Sequence, residues 1–368
     1  MSTPLRQAAL ALLILVSSAC STAGAGSASS GRKPIAGNPI ENAKERNTVF
    51  ERPLVFKELW GYLMKGEEKE LTGTEPLTDI CYFGVPITPK GVLAAVPAPP
   101  VLPGALRARA RLHIVITELS NPALAHFCLN PSLPYRKRLA GDIVRAAENF
   151  DGVQIDFESV PADDAKYFHD FLGELKKGLP ASKTLSVAVP ARRKSVSDAY
   201  DYRAIAGIAD RVIIMAYDQH WSASGPGPVS SVIWLKEILE FAKTRVSGGK
   251  LVAGLPLYGR AWQDRTLARA LRNHHIDELI ESKKLSPSYN PEKGCHFEYE
   301  EKVRVSVFYD DIESTRMKLK LCRDKNIEAA AFWRLGQGSR GLWRHIQVPN
   351  ERTSPDTARS QDDREEQL

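Results

Sequence analysis

Asp156 and Glu158 stand two residues apart in the run Asp151-Gly152-Val153-Gln154-Ile155-Asp156-Phe157-Glu158, where apolar residues alternate with hydrogen-bonding or acidic ones. Alternation at period two predicts a strand. Val153, Ile155 and Phe157 then share a face packed into apolar surroundings, while Gln154, Asp156 and Glu158 share the other. A polar face of that kind fits inside a barrel. The two acids lie about 6.5–7 Å apart along the strand, near enough for each to disfavour ionisation of the other. One of them is therefore expected to hold a proton near neutrality, which is what a general acid requires. A polar barrel lining can equally be structural, and this string alone does not separate the two readings.

Eight strand-like runs supply the frame: Phe56 to Met64, Ile80 to Ile87, Leu112 to Leu119, Gly152 to Glu158, Thr184 to Val189, Arg211 to Tyr217, Leu251 to Leu257 and Ala329 to Leu335. Most segments between them carry helical periodicity, as in Leu139, Ile143, Val144, Ala147 and Phe150, or Phe168, Phe171, Leu172, Leu175 and Leu179. Alternating strands and helices over this length predict an α/β fold, a (β/α)8 TIM barrel. The second connection, around Pro97 to Pro103, is proline-rich and poorly helical. A small α+β insertion is expected between strands 7 and 8, at 263–311. Its elements would be a helix at Ile276 to Lys284 and strands at Cys295 to Glu300 and Val303 to Tyr309. Asp310 or Asp311 reads as the cap of the helix that follows. In such a barrel the site gathers at the carboxyl ends of the strands. That places Glu158 at the end of the fourth strand, Tyr217 and Asp218 at the end of the sixth, and Trp333 at the end of the eighth.

The chain has 368 residues, 43% hydrophobic and 26% charged, enough for a sizeable core. Its net charge of +6 is spread along the sequence with no run of five like charges, which argues against a nucleic-acid partner. Residues 1–20 read as a secretory signal: Arg6, an apolar run from Ala8 to Val16, then Ser17-Ser18-Ala19-Cys20. Small residues before a cysteine resemble the bacterial lipoprotein box, with Ser17 where a leucine is usual. On that reading Cys20 becomes the lipid anchor of an exported, membrane-anchored protein of the bacterial envelope. General signal-peptidase cleavage would instead leave a soluble secreted protein. Residues 21–47 have the composition of a flexible tether, 48–348 would form the barrel, and 349–368 a disordered tail. The remaining cysteines, Cys81, Cys128, Cys295 and Cys322, allow three full pairings and give no zinc spacing. No metal or cofactor is expected.

From these residues the chain resembles glycoside hydrolase family 18, the chitinase-like enzymes. The family's fourth-strand pattern, Asp-x-x-Asp-x-Asp-x-Glu, is matched by Asp151, Asp156 and Glu158, with Gln154 in the second acidic place. Its Met-x-Tyr-Asp pattern appears as Met215-Ala216-Tyr217-Asp218, and Trp333 closes the eighth strand. Ser159-Val160-Pro161, Leu185 to Pro190 and Phe332-Trp333-Arg334-Leu335-Gly336 are similar to the spore-germination, cortical-fragment-lytic branch, whose LysM modules have no counterpart here.

The resemblance implies retaining, substrate-assisted hydrolysis of β-linked N-acetylglucosamine glycans, with peptidoglycan the leading substrate. Glu158 would be the acid/base, Asp156 would orient the acetamide, and Tyr217 would hold the acetamide oxygen. Asp151, Gln154, Asp218, Met215, Trp333 and Tyr62 would complete the substrate site. The alternatives are a non-catalytic carbohydrate-binding lipoprotein on a hydrolase scaffold and a hydrolase of chitin or N-glycan cores. The partners implied are an N-acetylated glycan and, through Cys20, a bacterial membrane, with the protein acting as a monomer.

Overall fold

Alternation in the fourth strand, Gly152–Phe157, divides its side chains between two apolar layers, and that division organises the whole molecule. Val153, Ile155 and Phe157 face outward into the layer between strands and helices. There Phe157 stacks on Phe168 and Phe171 of the helix Ala165–Gly178, with ring centroids 6.1 Å away in each case. Burying side chains of this size contributes roughly 1.5–3 kcal/mol apiece. The computed structural model describes residues 52–264, 268–300 and 302–349. The leader, Cys20, the tether and the tail beyond Pro349 lie outside the described residues.

Eight parallel strands close the barrel: Glu58–Met64, Asp79–Pro86, Arg111–Glu118, Gly152–Phe157, Thr184–Pro190, Arg211–Met215, Leu251–Pro256 and Ala329–Trp333. Each falls on one of the expected runs. The periodic segments fold as the helices Tyr135–Ala146 and Ala165–Gly178. The second connection holds only the short helix Gly104–Arg109, in keeping with its prolines. Inside the barrel a second apolar layer is built from Trp60, Tyr62, Cys81, Val115, Ile213, Val252, Ala329 and Ala331.

The amino-terminal end of the barrel is closed by charge. Asp79 accepts from Arg111 (2.7 Å) and lies 2.8 Å from His113 Nε2, while Glu58 takes Arg211 and the Trp60 indole N–H (2.9 Å). These buried ions are tolerable because they are paired. The ring of His113 also explains Gly152. A Cβ at that position would meet His113 Nδ1 at 2.3 Å and the Thr184 carbonyl at 2.7 Å.

The insertion begins earlier than 263. Its sheet has five antiparallel strands, opening with Tyr258–Gln263 and closing with Arg304–Tyr309, and carries the helix Asn273–Lys283. Only Leu257 separates its first strand from the seventh barrel strand, so one apolar run spans both and hides the handover. Asp311 caps the helix Ile312–Asp324, accepting from Ser314 N at 2.7 Å. Asp310 does not cap it: its carboxylate is buried against Lys318 Nζ. The four cysteines Cys81, Cys128, Cys295 and Cys322 are all buried, each in a different element.

Candidate active site

The inward face of the fourth strand carries Gln154 and then Asp156, and Glu158 stands just past its last residue at the carboxyl end of the barrel. Glu158 N donates to the Glu118 carbonyl (2.7 Å), which fixes the acid against the end of the third strand. Asp156 is 4% exposed, so water contributes little to solvating its charge. Burial first, and then the charge of Glu158, push its carboxyl well above the ordinary range. Glu158 is reached by solvent at the mouth but crowded elsewhere. Burial, Asp218 and Glu118 together raise its pKa to about 7. Both carboxyls are therefore shifted toward their protonated forms, Asp156 by burial and the charge of Glu158, Glu158 by burial, Asp218 and Glu118.

Aromatic rings make the floor and one wall. Trp333 meets Tyr62 edge-on (5.2 Å), meets Phe83 edge-on (4.9 Å) and lies face to face with Tyr217 (6.4 Å, 21°). Met215, at the end of the sixth strand, shares the inward parity of Ile213 and Tyr217. Tyr62 is buried near Gln154, Asp156 and Glu158, and burial is the main reason its hydroxyl is held in the neutral form. Gln154 Oε1 and Asp156 Oδ1, two buried polar atoms converging here, have no hydrogen-bond partner among the described residues, and the buried Tyr62 hydroxyl beside them faces the Gln154 side chain. Orphaned groups of this kind are costly, and clustered orphans mark a place where a ligand completes the bonding. Gln154 itself is held on one side, Nε2 donating to Ser186 Oγ at 3.3 Å.

Asp218 adopts a left-handed backbone (φ 55°), and its Oδ1 accepts from the Tyr258 hydroxyl and from Arg260 Nε (3.1 Å) and Nη2 (2.8 Å). Both donors belong to the insertion's first strand. Glu118 is the fourth acid of the mouth. Its Oε1 accepts from Ser120 N and Asn121 N while its buried Oε2 has no partner among the described residues, and burial raises its pKa.

Asp151 is not part of this group. It precedes the fourth strand at the opposite end of the barrel, roughly 23 Å from Glu158 at about 3.3 Å per residue. There its carboxylate accepts from Leu112 N at 2.8 Å, a bond that ties neighbouring strands together. The string of acids continues along the sequence, but the site uses only its carboxyl-terminal half. Tyr62, Gln154, Asp156, Glu158, Met215, Tyr217, Asp218 and Trp333 do gather at the carboxyl end. Phe83, Glu118, Tyr258 and Arg260 join them, and the sequence reading did not single these out. The first two could have been found from strand position, since Glu118 ends the third strand and Phe83 shares the inward parity of Cys81 in the second. Tyr258 and Arg260 could not, because their strand was not separated from the seventh.

Residues 135–338 match the Glycosyl hydrolases family 18 profile. The chain belongs to glycosyl hydrolases family 18. Within family 18 it is similar to the cortical fragment-lytic enzyme of Bacillus subtilis, 29% identical over 245 residues, covering 61% of this chain and 57% of that one. A cortical fragment-lytic enzyme of Bacillus anthracis is 28% identical over 218 residues, covering 55% and 51%. The chain spans about half to two-thirds of the length of the curated family 18 relatives it matches. Among solved structures, the Bacillus cereus spore cortex-lytic enzyme SleL superimposes with a TM-score of 0.72 over 81% of this chain and 76% of that chain, at 24% identity. A chitinase from Chromobacterium violaceum does so at 0.70, also at 24% identity, over 79% and 98%. At that identity the likeness establishes the barrel as a shared fold.

Proposed function

We propose that this chain cleaves β-glycosidic bonds of N-acetylglucosamine-containing glycans with retention of configuration, and that its substrate is peptidoglycan. The observation that carries the reading is the pair Asp156 and Glu158, both held toward their protonated forms, set beside the unpartnered Gln154 Oε1 and Asp156 Oδ1 and the Trp333 floor. Glu158, protonated, gives its proton to the glycosidic oxygen as the substrate's own acetamide oxygen attacks the anomeric carbon. The resulting carboxylate then takes a proton from the water that opens the cyclic intermediate. Asp156 Oδ1 accepts from the acetamide N–H and offsets the positive charge that builds there. The Tyr217 hydroxyl donates to the acetamide oxygen and aligns it, and Trp333 lies under the sugar ring.

The similarity to cortical fragment-lytic enzymes supports peptidoglycan over other acetamido glycans. Digesting peptidoglycan, chitin oligomers and N-glycan cores and identifying the products tests the substrate, with peptidoglycan fragments expected. NMR during early turnover tests the stereochemistry: the first product is the β anomer, and an α anomer refutes retention. The pH dependence follows from Glu158. Because the acid must be protonated and its pKa is raised to about 7, kcat/KM is expected to be level in mild acid and to fall as pH rises through about 7. A profile still level at pH 8 removes Glu158 from the acid role. The reading also places the enzyme at the bacterial envelope, with Cys20 as anchor. Palmitate label should enter the wild type and be absent from Cys20→Ala; an unlabelled wild type leaves a secreted form.

A further inference from the structure

A cavity of about 1070 Å³ opens at the carboxyl end of the barrel, between the chain leaving its first, seventh and eighth strands and the first turn of the insertion helix Asn273–Lys283. The turn at 70–75 follows the first strand, Leu257 the seventh, and the stretch from Leu335 to Arg344 the eighth. Asp156, Glu158, Tyr217 and Trp333 take no part in its lining. Leu335 shows why. Its side chain lies over Gly61, where a Cβ would meet it at 2.7 Å, and Gly61 alternates with the inward-facing Trp60 and Tyr62. The cavity therefore stands behind the part of the barrel wall that carries the Trp333 floor.

Its wall is fixed from several sides. Glu75 closes the first-strand turn by accepting from Thr72 N (2.8 Å) and Gly73 N (2.9 Å). Arg272 joins that turn to the insertion, reaching Glu67 at 2.8 Å and Glu70 at 3.6 Å. Trp343 is seated edge-on against Phe332 of the eighth strand, 5.6 Å between centroids. Along the lining, Arg272, His274 and Arg344 are matched by Glu70, Glu75 and Asp277, so neither sign of charge prevails and an ion gains little there. Two buried acceptors in the residues that back this lining have no donor among the described residues: Glu67 Oε2 and Asn273 Oδ1. Glu67 holds the lining residue Arg272, and Asn273 Nδ2 donates to the lining residue Ser339 at 3.3 Å. Buried acceptors left unmet are costly, and hydroxyl or amide donors satisfy them without adding charge.

We infer that this cavity is a second glycan site, which takes a neutral, hydroxyl-rich stretch of the polymer that is cut in the mouth. A sugar presents an apolar ring face, which suits Trp343, and a rim of hydroxyls that donate to the acids and accept from the arginines. The volume is that of a pocket for a small organic ligand. The inference rests on the proposed hydrolysis for the identity of the polymer and adds a holding point at the same end of the barrel. Two points of attachment make the second binding step intramolecular, so the gain falls on long chains and not on short ones.

The test is calorimetric titration with a short neutral chito-oligosaccharide in the Glu158→Gln background, where cleavage is slow. Two sites are expected. Adding Trp343→Ala should leave one, and if that variant fails to fold, the exposed pair His274→Ala/Asp277→Ala should do the same. The affinity of the lost site should change little between low and high salt, as binding without net charge requires. In the active enzyme the same substitutions should lower kcat/KM about tenfold on a long glycan, mainly through KM, and leave it unchanged on the short oligosaccharide. A site count that ignores the cavity substitutions, or an equal loss on short and long chains, overturns the second site. Steep salt dependence overturns the neutral ligand. If the wild type cuts no acetamido glycan, the hydrolase reading fails and titration still decides the cavity: binding that these substitutions remove supports it, and binding indifferent to them overturns it.

Discussion

Glu158→Gln is expected to lower kcat on an N-acetylated oligomer by about 10²- to 10⁴-fold, with KM little changed. The amide keeps the size and hydrogen bonding of the side chain, so the sugar still binds, but no proton can pass to the leaving oxygen. The same substitution should not weaken the fold. Burial, Asp218 and Glu118 raise the pKa of Glu158 to about 7, so the native state resists ionising a group that the unfolded chain ionises at lower pH. The stability associated with that proton is complete below the unfolded pKa and is lost as pH rises through about 7. Glu158→Gln removes the loss. Thermal unfolding should therefore show the variant melting above the wild type at pH 8 and level with it at pH 4. A kcat within threefold of the wild type would exclude Glu158 as the acid, and a lower melting temperature at pH 8 would contradict the burial argument.

Asp156→Asn is expected to lower kcat by about 10²-fold, the scale on which a single stabilising contact to developing charge acts. The side chain is buried in the barrel with Oδ1 unpartnered, and burial together with Glu158 raises its pKa. An amide there fills the same space and can still accept through its oxygen, but it carries neither the charge nor the proton of the pair. The fall near pH 7 should persist in this variant, because burial, Asp218 and Glu118 still act on Glu158. Steady-state rates across pH check both points. An unchanged kcat would reduce Asp156 to a structural lining residue.

The barrel was legible because its evidence is periodic. Eight apolar runs, each a few residues long and separated by helical spacing, admit few other folds, and each run became a strand. Gln154, Asp156 and Glu158 were legible for the same reason, since a strand's alternation fixes which face each one takes. Asp151 shows the limit of that logic. Parity tells which face a residue occupies but not which end of the barrel it serves, and Asp151 serves the lower one, bonded to Leu112 N. Arg260 and Tyr258 were hidden by a different cause. They act on Asp218 from about forty residues away in the chain, across a sheet whose first strand continues an apolar run with almost no break. Pairing between distant segments leaves no local trace in composition or period.

That pairing bears on how the molecule could be recombined. The five-stranded insertion looks like a removable accessory, yet a carboxylate of the mouth, Asp218, accepts hydrogen bonds from Tyr258 and Arg260 within it. Excising the sheet, or exchanging it for that of a relative, would leave Asp218 in its left-handed turn without those donors and would alter the charge felt by Glu158. The unit of exchange is therefore the sixth-strand exit together with the insertion, and chimeras cut between them should fold as barrels while losing the setting of their acid.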